Sequence, residues 1–350
     1  MLFFVIAVPG RFADCCEALT AALVQQVSGA VELTSGDTLD EIARNALFVG
    51  ASYSVVASRH PRGRLMRALT EAGRPFVVVL DDLRLALADL VRRQGFGIAA
   101  ATRDIASSCA SALCFSALPG ALVLRAERDE GDPLATARAI ARHLQLEIGD
   151  AEIAAVAGRA SAQTNPETVD GDVWWDGLDQ AERSIADGAL GAYLHHSPGR
   201  ALGPITWERE LFFDGNHPKE GAAVEIDITG RARCLLHGPQ ILLPPATWSL
   251  TASMAISPDA AEHSFVLEAT AGAALSRTVI RPPEAGVVEA TLSLALAELP
   301  DEPIELRLYN ERPAFGGHVS LLRVTAVPQP GAASEAAFAA GDLPSTGGGA

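Results

Sequence analysis

Aromatic side chains are scarce in this sequence, at 5% Phe, Trp and Tyr, and basic ones are outnumbered: 27 Lys and Arg face 43 Asp and Glu, a formal net charge of −16. No long run of Lys and Arg interrupts the acidic excess. Nucleic acid and anionic membrane surfaces are therefore not expected as partners, because phosphate binding needs clustered cations. A neutral or cationic ligand fits better. No apolar stretch approaches the ~18 uninterrupted residues that a membrane-spanning helix needs. The apolar start, Leu2-Phe3-Phe4-Val5-Ile6-Ala7-Val8, has no basic n-region and reads as a buried first strand. The cysteines, Cys15, Cys16, Cys109, Cys114 and Cys234, are odd in number and lack C-x-x-C spacing. They read as reduced thiols, which points to a cytoplasmic protein. A Gly-x-Ser-x-Gly elbow is also missing, and Cys15-Cys16 have no evident base beside them, so no catalytic residue is expected.

What is present is a globular composition, 49% hydrophobic and 20% charged over 350 residues, enough for two domains that each bury a core. From residue 1 to 160, apolar runs alternate with helical stretches, the pattern of a parallel sheet covered by helices in three layers. The expected strands are Leu2 to Val8, Tyr53 to Ala57, Phe76 to Leu80 and Ala121 to Arg125. Thr38-Leu39-Asp40-Glu41 is a capping box, and Asp132-Pro133 gives a cap followed by a proline at the first helical position. Residues 161–202 read as a linker with a connector helix from Leu178 to His195. From 203 to 328 the period changes to two. Trp248, Leu250, Ala252, Met254 and Ile256 alternate with polar residues, and so do Val288, Ala290, Leu292, Leu294 and Leu296. Further strands are expected over Ala223 to Ile228, Ser264 to Ala269, Leu275 to Ile280, Ile304 to Tyr309 and Val319 to Val327. An all-β antiparallel sandwich follows from strands so spaced without helices between them. Trp207, Trp248, Phe212 and Phe213 are expected in its core, and residues 329–350 as a disordered tail.

Leu122-Val123-Leu124-Arg125, then Asp132-Pro133-Leu134-Ala135-Thr136, Ile140-Ala141-Arg142-His143-Leu144 and Asp150-Ala151-Glu152-Ile153, resemble the closing strand, proline-started helix and terminal helix of sulfotransferases, a branch of the P-loop fold. The resemblance implies two phosphate sites. In that family a Pro-Lys/Arg-Ser-Gly-Thr/Ser-Thr turn after the first strand cradles the 5′ phosphosulfate with backbone N–H groups and a helix N-terminus. The corresponding stretch here is Pro9-Gly10-Arg11-Phe12-Ala13-Asp14. Only Pro9 keeps its place; Phe12 stands for the glycine and Asp14 for the hydroxyl, while Arg11 offers one displaced cation. The family's second site uses an arginine at a strand end and a serine eight residues on. In hydrophobic register Asp81 and Asp89 occupy those positions. Carboxylates at three phosphate-facing places repel a polyanionic nucleotide, so no cofactor, and in particular no 3′-phosphoadenosine 5′-phosphosulfate, is expected to bind.

Other groups carry less chemistry. His195-His196 ends the connector helix, and adjacent histidines diverge from a helix, so a C-terminal cap is expected in preference to a metal. Arg59, His60, Arg62 and Arg64 form the one basic concentration of the first half, a place where an anionic group could sit; the favoured reading is a solvated helix start paired with acids such as Asp81, Asp82 or Asp89. In the second half, the loop Leu308 to His318 offers Tyr309, Asn310, Arg312 and His318, a stacking face with amide and cationic donors of the kind that sugars use. Its plainer reading is a tight loop tied by Asn310 and Arg312, with Phe315 plugging the sandwich end. The strand layout resembles jelly-roll carbohydrate-binding modules. These resemblances imply a non-catalytic glycan-associated protein with a sulfotransferase-like scaffold and a saccharide-binding sandwich. The alternatives are a diverged active sulfotransferase or other group transferase, and a structural protein whose sandwich binds a protein partner.

Overall fold

A computed structural model describes residues 1–47, 53–163, 171–196, 201–217 and 221–329. The first half runs β1 (Leu2–Ala7), α1 (Arg11–Ser28), β2 (Glu32–Ser35), α2 (Leu39–Leu47), β3 (Ser54–Ser58), α3 (Gly63–Ala72), β4 (Phe76–Leu80), α4 (Leu83–Arg92), α5 (Ile98–Ser116) and β5 (Ala121–Arg125). Four helices follow: α6 (Ala126–Asp129), α7 (Pro133–His143), α8 (Asp150–Gln163) and α9 (Gly171–Asp176). The five strands pair in parallel in the order β2-β3-β1-β4-β5. Period-two alternation sends Phe3, Val5 and Ala7 to the face under α1, α7 and α8, and Phe4 and Ile6 to the opposite face, with α3, α4 and α5. The expected three-layer α/β half is therefore present.

The strand β2 was not among those expected. It lies at the sheet edge, pairs with β3 alone, and alternates half-buried and exposed residues, so it lacks the apolar run that marks its neighbours. The caps act as the sequence implies. Thr38 Oγ1 accepts from the Glu41 N–H and Glu41 accepts from the Thr38 N–H, while Asp132 accepts from the Ala135 N–H ahead of Pro133.

The connector helix α10 (Gln180–Leu194) opens with a capping box, Asp179 with Glu182, and buries Ile185, Ala186, Ala189 and Leu190. It packs between α5 and the first strand of the second half, β6 (Ile205–Glu208). Thereafter come β7 (Phe213–Asp214), β8 (Ile226–Asp227), β9 (Arg233–Ile241), β10 (Ala246–Ile256), β11 (Phe265–Ala271), β12 (Ala273–Ile280), β13 (Gly286–Leu296), β14 (Ile304–Asn310) and β15 (His318–Gln329). One sheet is ordered β13-β10-β15-β6, with β8 also on β15; the other is β12-β11-β14-β9-β7. All named pairs are antiparallel, which makes the second half a β-sandwich. Two differences from expectation stand out. Ala223 to Ile228 contributes only the short β8, and β9 was unforeseen because Gly238-Pro239 interrupts its pattern. The expected tail beyond Gln329 lies outside the described residues.

Trp207, Trp248, Phe212 and Phe265 are fully buried between the sheets. Phe213 is not: next to Phe212 on an extended backbone, it must face the other way. One contiguous apolar core runs from the α5 face of the parallel sheet through α10 into the sandwich. The halves are also joined by charge. Arg62 donates to the Asp301 carbonyl, and the Asp301 carboxylate accepts from the Arg64 N–H at 2.7 Å and from Arg67 at 3.2 Å.

Candidate binding site

The C-terminal ends of parallel strands are where α/β folds place ligands, so the turns after β1, β3 and β4 come first. The turn after β1 is Pro9-Gly10, and α1 begins at Arg11. Its helix N-terminus is occupied. The Asp81 carboxylate, at the end of the adjacent β4, accepts from the Ala13 N–H at 3.1 Å and from its neighbour Asp82 at 2.9 Å. A Cβ on Gly10 would stand 2.2 Å from Asp81 Oδ2. Burial pushes the Asp81 carboxyl up to about 7 against the opposing pull of backbone N–H groups.

Asp14 and Asp89, in contrast, are charge-compensated. Asp14 meets Arg59 at 3.0 Å and Arg93 at 2.9 Å, and Arg93 also grips Asp89 through Nε and Nη2. Glu17, one turn along α1, lies 2.7 Å from Arg59, and burial raises its carboxyl to about 7. Arg11 is the first residue of α1 and Pro9 is buried beneath it. The structure thus brings Pro9, Arg11, Asp14, Asp81 and Asp89 around one helix start. Asp81 enters the first turn itself, where the sequence register had put it in a second site.

The basic concentration is paired, though not with Asp81, Asp82 or Asp89. His60 lies between Asp37, 3.5 Å from Nδ1, and Asp104, 3.1 Å from Nε2. Burial pulls its pKa down, but the hydrogen bonds to Asp104 and Asp37 override this and raise it to about 9. Burial pushes Asp37 up, yet hydrogen bonds from His60 and Ser58 bring it to about 2.

These shifts set a pH dependence. Asp81 and Glu17 hold protons in the folded chain that the unfolded chain releases above about pH 4, so their contribution weakens as pH rises through 7. The His60 contribution is full below 6.5 and is lost as pH rises through 9. Asp37 opposes neither trend above pH 4, because its stabilisation is lost only on acidification. The thermal midpoint is expected to be higher at pH 5.5 than at pH 8.5, by several degrees; a midpoint that rises over that interval contradicts the assignment.

The sandwich offers a second surface. On the outward face of the β12-β11-β14-β9-β7 sheet, cross-strand register aligns Arg277, Glu268, Arg307, His237 and Phe213 in a single row over all five strands. The Phe213 ring stacks on His237, with centroids 5.4 Å apart. Glu305 ties the row together: His237 Nδ1 is 2.7 Å from its Oε1, Arg307 Nε donates to Oε2 at 2.7 Å, and Gln240 donates at 3.3 Å. Burial pushes Glu305 up, but these hydrogen bonds hold its carboxyl below the ordinary range. Tyr309 stands beside this row on the same face, opposite Cys234 and Val266.

Of the four residues expected in the ligand loop, only Tyr309 belongs to this face. Asn310 is buried. Its Oδ1 accepts from the Arg233 N–H at 2.7 Å, and its Nδ2 donates to the carbonyls of Ile228, Arg231 and Arg312. That amide ties the loop and has nothing left for a ligand. Arg312 is exposed on the loop, and His318 starts β15 in the other sheet, across from Asp227. Phe315 does not plug the sandwich end; it is fully exposed at 101%. Phe213 is expected in the core, and His237, Glu305 and Arg307 are not expected at a site, because strand pairing brings His237 and Phe213 to the strand that carries Glu305, Arg307 and Tyr309. The available signal was Phe212-Phe213, of which one had to face outward.

Between the halves lies a cavity of about 230 Å³, with His60, Arg62, Arg103 and Asp104 on one wall and Gln240 and Leu242 on the other. Arg103, which lines it, donates to the Leu211 carbonyl at 3.2 Å, and its guanidinium lies 4.4 Å from the centroid of the Phe213 ring. His195 and His196 show no metal cluster, and among the described residues no group of His, Cys, Asp or Glu is arranged to hold a metal ion. No described helix is long and apolar enough to cross a membrane.

No protein-family model matches the chain, and no curated protein matches it either. Among solved structures, it is similar to a mouse sulfotransferase complexed with PAP, at 14% identity over 48% of this chain and 66% of that chain, with a TM-score of 0.34. The chain thus spans just under two thirds of that sulfotransferase. It is also similar to the C-terminal carbohydrate-binding module of a marine laminarinase from Zobellia galactanivorans, at 11% identity over 35% of this chain and 98% of that chain, TM-score 0.23. A carbohydrate-binding module in complex with β-1,4-galactotriose is similar at 8% identity over 36% of this chain and 88% of that chain, TM-score 0.22.

Proposed function

We propose that this protein is a non-catalytic glycan-associated protein whose sandwich binds a saccharide on the outward row of its second sheet. The α/β half serves as a scaffold that does not bind 3′-phosphoadenosine 5′-phosphosulfate. The row carries the reading. It combines an aromatic stack, Phe213 on His237, with a hydrogen-bonded carboxylate and guanidinium, Glu305 with Arg307, and a phenol at Tyr309. Sugar ring faces pack on aromatic rings, and their hydroxyls exchange hydrogen bonds with planar charged groups. Supporting the scaffold role is the α1 N-terminus, where Asp81 already accepts the N–H that a phosphate would use.

The test pairs two measurements on the full chain. A screen of neutral oligosaccharides is expected to find a ligand whose affinity falls at least tenfold in His237→Ala and Tyr309→Ala. Titration with the sulfonucleotide is expected to give no heat and no thermal shift. Uniform silence to the glycans sinks the saccharide reading, and heat with the sulfonucleotide returns the α/β half to a transferase.

A further inference from the structure

We infer that the cleft between the halves is a second binding site, one that takes an oxyanion carried on a sugar-sized ligand: a uronate carboxylate or a sugar sulfate or phosphate ester. The oxyanion part stands on the cleft alone; that a sugar carries it rests on the proposed saccharide function. Three cations line this cavity, His60, Arg62 and Arg103. Two are answered from within. His60 has Asp37 and Asp104, and Arg62 has Glu302 at 4.0 Å. Arg103 is different. Among the described residues no carboxylate lies within 4.0 Å of it; its contacts are one backbone carbonyl and the face of an aromatic ring.

A guanidinium carries five N–H donors in a planar fork, and a carbonyl with a ring face leaves most of them unused. Taking such a cation partly out of water without a counter-ion is unfavourable, and burial lowers the Arg103 pKa accordingly. An oxyanion entering the cleft relieves both the charge and the unused donors. Arg62, on the same wall, adds a buried Nε–H without a hydrogen-bond partner. The one carboxylate among the described residues that line the cavity, Asp104, is held against His60, so it does not cancel Arg103. Ala100 lines the cavity from the first turn of α5, whose positive end adds to the field.

Position links the cleft to the saccharide face. The Phe213 ring contacts both Arg103, which lines the cleft, and His237 in the row. A chain lying along the row therefore delivers its end residue to Arg103, and an acidic group on that residue is the part the cleft selects.

Calorimetry on the full-length protein tests this with four probes at matched ionic strength: D-glucuronate, D-glucose 6-sulfate, D-glucose and inorganic sulfate. The two acidic sugars are expected to bind at least tenfold more tightly than glucose or sulfate. Arg103→Gln is expected to reduce their affinity at least tenfold. Ala100→Asp guards against misfolding of that variant, because an acid suits the first turn of a helix, and it should weaken both acidic sugars by opposing their charge. Glucose binding as well as glucuronate, no binding of either acidic sugar, or unchanged affinity in both variants overturns the site. Sulfate binding as tightly as glucose 6-sulfate overturns the sugar-borne ligand. Intact glucuronate binding with silence to neutral oligosaccharides would sink the row and leave the cleft; the reverse pattern would sink the cleft alone.

Discussion

Gly10→Ala is expected to destabilise the fold by about 1–3 kcal/mol, a large fraction of the stability of an ordinary domain. The backbone there, at φ 163° and ψ 176°, is extended and open to any residue, so the cost comes from contact alone. The new methyl would lie 2.2 Å from Asp81 Oδ2 and 2.5 Å from its Cγ. Either the turn moves or the carboxylate leaves, and a departing carboxylate abandons the Ala13 N–H at the head of α1. Asp81→Ala alone should also destabilise, by roughly 1–3 kcal/mol for the unsatisfied donors. The two losses should not add: with Asp81 truncated, only its Cβ remains, 3.1 Å from the new methyl, and Gly10→Ala costs less than it does in the parent. Inorganic sulfate should raise the thermal midpoint of Asp81→Ala by more than that of the parent, since only the variant exposes the helix start. Additive losses, or equal sulfate responses, would show that Asp81 does not fill this turn.

Gly63→Ala has the second large effect, expected at about 1–3 kcal/mol. Its Cβ would stand 2.1 Å from the Leu299 carbonyl oxygen, a backbone atom that no rotamer change can move aside. This contact is where the start of α3 docks on the segment before β14. Arg62, which precedes α3, offers no side-chain cap, and Asp301 of the sandwich supplies the acceptor for the Arg64 N–H instead. Separating the two surfaces breaks that bond together with the Arg67 contacts to Asp301 and Glu298. Limited proteolysis should then release fragments the size of the two halves at temperatures where the parent resists. An unchanged midpoint and digestion pattern would show that the junction is looser than its geometry.

Much of the scaffold was legible because its strands announce themselves. Phe76-Val77-Val78-Val79-Leu80 is buried on both faces and reads as one apolar run, whereas Glu32-Leu33-Thr34-Ser35 is an edge and reads as nothing. In the sandwich, β10 alternates cleanly over its 11 residues and β13 from Val288 onward, while Gly238-Pro239 hid β9. The acids around α1 were legible as residues but not as a circuit. Asp89 and Arg93 are spaced i,i+4 and could have been paired on a helix, but Asp14 and Arg59 are 45 residues apart. Asp81 was assigned by its position along a strand; what decides its role is that β4 lies beside β1, a neighbour relation that only the folded sheet creates. The outward row follows the same logic. Glu305, Arg307 and Tyr309 alternate within one strand, but His237 and Phe213 join them only through pairing.

The placement of Asp81 also bears on competition. A free phosphate approaching α1 arrives against a rival that is covalently attached and already in position, so its local concentration does not fall when the solution is diluted. Screening by salt does little to dislodge it at so short a range. On the proposed reading the molecule carries its own resident competitor for that helix start, and one codon change at position 81 is the smallest event that would remove it.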